Sequence, residues 1–130
     1  MTLVTDWSEF PSFSKDEFDC KQTGKNKMEH DFMCKLQYLR DVVDEPFIIS
    51  SGYRAAEHSI EAAKDQPGEH YYGRAADIKC SHKLAKKILD HAGLCGFTRI
   101  GVSQKGDNRY LHLGTSTEEQ GFVSPHVWSY

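Results

Sequence analysis

The chain has 130 residues, and its 16 Lys and Arg against 19 Asp and Glu give a formal net charge of -3 at pH 7. This charge balance gives no electrostatic footprint for binding nucleic acid. No segment approaches the roughly 18 apolar residues that a membrane span needs, and the N-terminus has neither the basic start nor the apolar run of a signal peptide. The length fits one domain with a core of its own, so we expect a single domain over residues 1–130.

The first half of the chain predicts two helices. Ser14 is a typical N-cap residue, and Asp16 and Glu17 would lie in the first turn of a short helix, where the helix dipole favours acidic side chains. From about Asn26 to Val43 the apolar residues recur at helical spacing. This spacing predicts the longest helix of the chain, with one face buried in the core.

The remaining segments contain short strand-like runs and one further amphipathic helix. We expect strands over residues 47–51, 75–80, 97–102 and 109–113, a partly helical segment over 55–67, a helix over 82–91 and a packed tail over 121–130. Residues 104–108 have the composition of a hairpin loop, so the last two strands are expected to pair. The order of elements predicts an α+β fold, with a small, mainly antiparallel sheet packed against helices.

Two histidines and one aspartate are the strongest candidates for a functional site. His70 and Asp77 lie seven positions apart, and His112 lies in the strand-like run Tyr-Leu-His-Leu. Pairing of the last strands beside the strand of Ile78 would bring His112 near Asp77. Three protein ligands with a fourth position for water are typical of catalytic zinc, whereas structural zinc usually has four ligands rich in Cys. Spacing alone does not establish such a site in a chain with seven His and 19 acids.

The wider pattern resembles the M15 peptidases, the D-alanyl-D-alanine carboxypeptidase-like zinc family that includes many phage cell-wall enzymes. The matching pieces, in the family's order, are Ser-Gly-Tyr-Arg at 51–54, His70 with Asp77, Phe-Thr-Arg-Ile-Gly-Val at 97–102 and Tyr-Leu-His at 110–112. The resemblance covers nearly the whole chain and is strongest to small, phage-encoded members. It implies one M15-like peptidase domain over residues 1–130, with the fold shared by hedgehog proteins and D-Ala-D-Ala peptidases.

The resemblance also implies a site and a function. Zn²⁺ would be held by His70, Asp77 and His112, and the substrate carboxylate by Arg54, with Ser51 and Tyr53 in the same substrate-binding segment. The implied activity is zinc-dependent cleavage of peptidoglycan stem peptides, in cell-wall lysis or in wall opening by a virion. The expected partners are therefore a peptidoglycan peptide and other virion proteins, and the expected location is the host cytoplasm or the virion, with the cell wall as target.

One departure from the family concerns the residue that handles the proton. Many relatives carry an acid three positions before the last metal histidine or two after it, where this chain has Arg109 and Gly114. Asp107 and Glu69 are the substitute candidates for a general base, followed by His126. The alternative function is a structural or binding module of a phage particle that keeps the metal but is catalytically weakened. Restoring an acid with Gly114→Asp is expected to separate the two.

Four cysteines are spread along the chain without any C-x-x-C pair, so they lack the spacing of a zinc ribbon or a thioredoxin motif. They are Cys20, Cys34, Cys80 and Cys95. We interpret them as free thiols, with a Cys20–Cys34 disulfide as the alternative.

Overall fold

The computed structural model describes residues 2–130 and confirms the predicted α+β class. Its helices are α1 (His30–Val43), α2 (Ser59–Ala62) and α3 (His82–Ala92), with short 3-10 helices at Trp7–Glu9, Lys15–Phe18 and Glu69–Tyr72. Its strands are β1 (Ile48–Ser51), β2 (Ala75–Lys79), β3 (Arg99–Ser103), β4 (Tyr110–Gly114) and β5 (His126–Ser129). No helix among the described residues is long and apolar enough to cross a membrane.

Helix α1 begins four residues later than the apolar spacing predicted. The preceding residues are extended instead, because the amide of Val4 donates to the carbonyl of Met28 at 2.9 Å and Leu3 forms a β-bridge with Glu29. The buried side chain of Met28 therefore contributes to the core from an extended segment. The helix ends at Asp44, which adopts a left-handed conformation with φ of 55°.

The sheet has the strand order β1-β2-β4-β3-β5, and all its neighbouring strands are antiparallel except β3 and β5. The parallel pairing of β5 with β3 corrects the expectation of a simple tail over residues 121–130. Four residues are too few to show a strand period, and the partner strand ends more than 20 residues earlier. Only the folded chain brings the two segments together.

The two faces of the sheet have different roles. Ile78 of β2 and Leu111 and Leu113 of β4 are completely buried in the hydrophobic core, which also contains residues of α1 and α3. Because successive side chains of a strand point to opposite faces, Asp77 and His112 point away from this core. The polar face of the central strands is thereby free to carry a site.

All four cysteines are free thiols in the structure. Cys34 is exposed, whereas Cys20, Cys80 and Cys95 are buried. Burial in apolar surroundings suits the interpretation of these three as small core residues.

Candidate metal centre

One row of residues crosses the sheet and contains two of the three predicted metal ligands. Asp77 of β2 pairs directly with His112 of β4, His112 with Gly101 of β3, and Gly101 with Trp128 of β5. Directly paired residues point to the same face, so Asp77, His112 and Trp128 share the polar face. The sheet register is therefore what places the carboxylate beside the imidazole.

His70 reaches the same place from the 3-10 helix Glu69–Tyr72. This short helix ends at Gly73, which has a φ of 70° that a residue with a side chain rarely adopts. The Nδ1 atom of His70 lies 2.7 Å from the carbonyl oxygen of Gly52, which can only accept, so Nδ1 carries the proton and donates it. The lone pair of Nε2 then faces Asp77, whose Oδ1 lies 3.4 Å away.

His112 has the opposite tautomer, for an equivalent reason. Its Nε2 donates to Oε1 of Glu69 at 2.8 Å, because a carboxylate only accepts. Its Nδ1 therefore has a free lone pair, which faces Oδ1 of Asp77 at 3.2 Å. The two imidazoles and the carboxylate thus direct one ligand atom each into a common space.

The donor set fits a metal ion. One ligand atom from each of His70, Asp77 and His112 can be chosen so that all three lie within 4.8 Å of one another. Oδ1 of Asp77 is buried and has no hydrogen-bond partner, which is costly for a carboxylate oxygen unless a cation binds there. Two imidazole nitrogens and one carboxylate oxygen are ligands that zinc accepts, and they leave a coordination position open.

The electrostatics of the site keep both carboxylates ionised. Burial would raise the pKa of Asp77 and of Glu69, but the polar and charged groups around each carboxylate outweigh it. His70 and His112 hold the pKa of Asp77 well below its usual range. His112 and Arg99 lower the pKa of Glu69 to about 2. Both acids are therefore anions at neutral pH.

The pKa values of His70 and His112 are shifted in opposite directions. Burial lowers the pKa of His70, although the nearby Asp77 partly opposes this. Burial also acts to lower the pKa of His112, but the close carboxylates of Asp77 and Glu69 outweigh it and raise the value. The carboxylates on either side of His112 thus favour positive charge in this part of the site, which a bound cation would supply.

A cleft opens over these ligands and is lined by three groups of side chains. The cations Arg54, Lys64 and Arg99 line it, together with the aromatic residues Tyr110, Phe122, Trp128 and Tyr130 and the carboxylates Asp77 and Glu69. Nη2 of Arg54 lies 3.6 Å from Oδ2 of Asp77, and its side chain remains 16% exposed. Arg54 is thus close to the metal ligands and accessible from the cleft.

The structure does not bring every predicted site residue to this cleft. Asp107 lines a different cavity, beside the N-terminus of α3, so its position gives no support for a catalytic role. Tyr53 is buried in the hydrophobic core, and Ser51 pairs with Asp77 through its backbone without lining the cleft. His126 is exposed and stacks on Trp128 at a centroid distance of 5.2 Å.

Several residues of the cleft were not predicted as site residues from the sequence. Arg99 donates from Nε to Oε1 of Glu69 at 2.8 Å, and its guanidinium carbon lies 4.9 Å from the centre of the Trp128 ring. Tyr130 lies against Tyr110, with ring centroids 5.3 Å apart. The aromatic pattern of residues 122–130 was visible in the sequence, but the position of β5 beside β3 was not.

Comparison with known proteins identifies one family. The family model described as Peptidase M15 matches residues 11–114. The match contains His70, Asp77 and His112 and ends at Gly114, so β5 and its aromatic residues lie beyond it. No match to the chain was found among the curated proteins.

Proposed function

The chain belongs to the Peptidase M15 family, and we propose that it is a zinc-dependent peptidase that cleaves peptidoglycan stem peptides. The observation that carries the proposal is the convergence of one ligand atom each from His70, Asp77 and His112, all within 4.8 Å. The unpartnered Oδ1 of Asp77 supports it, because a buried anionic oxygen without a donor is suited to a cation.

His70, Asp77 and His112 would hold the zinc ion. A bound zinc ion supplies Lewis acidity towards the scissile carbonyl and lowers the pKa of water towards neutrality. The protein's own contribution is to hold each imidazole in the tautomer that leaves the correct nitrogen free. The carbonyl of Gly52 does this for His70, and Glu69 does it for His112.

The cationic lining of the cleft supports a substrate with free carboxylates. Peptidoglycan stem peptides carry such groups, and Arg54 has the planar fork of donors that binds a carboxylate through two hydrogen bonds. Lys64 and Arg99 line the same cleft and add positive charge. The rings of Trp128 and Tyr130 form an apolar wall against which a peptide can pack.

The biological setting of the proposal is cell-wall lysis or wall opening by a phage. It rests on the resemblance to small, phage-encoded members of the family, which would place the protein in the host cytoplasm or the virion. In that setting the cell wall is the target, and other virion proteins are candidate partners.

The proposed activity is tested by measuring zinc content and peptide release on the same samples. Wild type, His70→Ala and the control His91→Ala are purified, and their zinc is measured by mass spectrometry. Each is then incubated with purified peptidoglycan, and released peptides are identified by liquid chromatography and mass spectrometry. One zinc per chain and peptide release are expected in wild type and His91→Ala and are expected to be lost in His70→Ala. A wild type without zinc would refute the proposed site.

A second candidate function is a metal-holding structural or binding module of a phage particle. The observation that favours it is the scarcity of free acids: Asp77 and Glu69 are the carboxylates that line the cleft, and Glu69 is fully engaged in hydrogen bonds. Proton transfer by a positioned side chain is typically worth a hundredfold or more in rate. Stoichiometric zinc without peptide release from any peptidoglycan type would favour this module.

A further inference from the structure

We infer that Glu69 is a positioning residue for His112 and that Gly114 is a glycine because the Glu69 carboxylate occupies the space of its side chain. The inference rests on the proposed metal site and assigns to Glu69 a role other than general base. Its evidence is the environment of one carboxylate, which three partners hold from different directions.

Both oxygens of Glu69 are engaged. Oε1 accepts from Nε2 of His112 at 2.8 Å and from Nε of Arg99 at 2.8 Å, and Oε2 accepts from the backbone amide of Ser116 at 3.2 Å. The side chain is only 2% exposed. Hydrogen bonds to an ionised group inside a protein are roughly twice as strong as neutral ones, so three of them fix the carboxylate in place.

Arg99 is itself held firmly, which extends the chain of contacts. Its guanidinium carbon lies 4.9 Å from the centre of the Trp128 ring and 5.1 Å from that of Phe122. The guanidinium group also donates to the carbonyl of Val123. Arg99 therefore anchors Glu69 from β3 and the C-terminal segment, while Glu69 anchors His112 on β4.

The side of the His112 ring that Glu69 contacts shows whether Glu69 positions the ring or transfers a proton. Glu69 binds Nε2 of His112, whereas the lone pair that faces Asp77 is on Nδ1, at the other side of the ring. A carboxylate that accepts a hydrogen bond from the unligated nitrogen orients the ring and increases its strength as a ligand. A general base would instead face the reacting atoms.

Gly114 makes this arrangement possible. It follows His112 by two positions on β4 and so faces the same side of the sheet. A Cβ atom built on Gly114 would overlap both oxygens of Glu69 and lie 2.5 Å from its Cδ. Any residue with a side chain at 114 must therefore displace Glu69. For the same reason, Gly114→Asp alone does not test for a missing acid, which corrects the expectation from the sequence.

The test compares zinc affinity, kinetics and histidine tautomers in Glu69→Gln, Gly114→Ala and the control Glu61→Gln. Glu61 is matched to Glu69 because it is also buried, accepts from a backbone amide, that of Gly68, and pairs with a cation, Lys64. Zinc affinity is measured by competition with a chromophoric chelator. Long-range proton–nitrogen NMR on ¹⁵N-labelled, zinc-loaded protein reports which nitrogen of His112 carries the proton.

We expect zinc to bind about 10- to 100-fold more weakly in Glu69→Gln and Gly114→Ala and within about twofold of wild type in Glu61→Gln. Wild-type His112 is expected to carry its proton on Nε2. Unchanged zinc affinity in both Glu69→Gln and Gly114→Ala would overturn the inference. A loss of kcat in Glu69→Gln with unchanged zinc affinity would also overturn it, because Glu69 would then be the general base. If one variant fails to fold, the other still decides. A wild type that binds no zinc would instead refute the proposed function, so the two failures are distinguishable.

Discussion

Replacing Gly101 with alanine tests how the C-terminal strand forms the wall of the cleft. Gly101 lies between His112 and Trp128 in the sheet register, and the Trp128 ring covers it. A Cβ atom on Gly101 would lie 2.6 Å, 2.7 Å and 2.8 Å from three atoms of that ring. Ordinary carbon contacts are about 3.5–4.0 Å, so the ring must move by about 1 Å.

The size of the effect follows from what the ring contacts. The centre of the Trp128 ring lies 5.1 Å from the centre of the His112 ring and 4.9 Å from the guanidinium carbon of Arg99. Movement of the Trp128 ring therefore disturbs both residues. Inserting a methyl group into packed surroundings costs about 1–3 kcal/mol. At about 4 °C for each kcal/mol in a domain of this size, we expect the Tm of Gly101→Ala to fall by about 4–12 °C.

Thermal unfolding followed by circular dichroism measures this fall, and Gly93→Ala is the matched control. Gly93 has a φ of -60° at the end of α3, and a Cβ atom there meets nothing within 4 Å. Alanine at this position restricts the unfolded chain and is expected to be neutral or to stabilise by about 0.4–1 kcal/mol. Equal Tm values for Gly101→Ala and wild type would refute the placement of Trp128 over Gly101.

Three further predictions concern the site and the thiols. Arg54→Lys removes the bidentate contact with the substrate carboxylate, so we expect kcat/KM on a stem peptide to fall about tenfold or more. Arg109→Lys is the control and should leave kcat/KM unchanged. Equal kcat/KM values for Arg54→Lys and wild type would contradict the role of Arg54. Zinc at 100 times its Kd should stabilise the protein by about 2.7 kcal/mol, and a similar rise in Tm in His112→Ala would contradict the site. In thiol labelling at pH 8, exposed Cys34 should react first. Burial raises the pKa of Cys80 to about 11, so little of this thiol is ionised at the pH of the labelling experiment. Rapid labelling of Cys80 in the folded protein would contradict its burial.

The sequence determined the parts of this protein that depend on local periodicity. The helical spacing up to Val43 reflects a face that must be buried, and it predicted the body of α1 correctly. The strand around Ile78 was predicted from a run with small residues, and that around Leu111 from the strand-like run Tyr-Leu-His-Leu. The resemblance to the M15 peptidases rested on short segments, and the family match over residues 11–114 confirms the family. The assignment of His70, Asp77 and His112 as metal ligands remains a prediction. Their proximity in the folded chain is compatible with it.

Tertiary structure decided what depends on neighbours distant in the chain. The extended conformation before α1 comes from hydrogen bonding with the N-terminal arm, and β5 exists because β3 offers it a free edge. Tyr53 lies in the same short segment as Arg54, yet only Arg54 lines the cleft, because neighbouring residues can face opposite directions. Side-chain direction is not visible in sequence spacing.

The relation between Glu69 and Gly114 shows the same limit most clearly. In the sequence they are 45 positions apart, one a weak candidate for a base and the other an apparent loss of an acid. In the folded protein the carboxylate of Glu69 fills the space beside Gly114 and accepts a hydrogen bond from His112. Which residues could supply the chemistry was readable from their types and order. Which atom faces which partner was decided by the sheet register and by the packing of the loop above it.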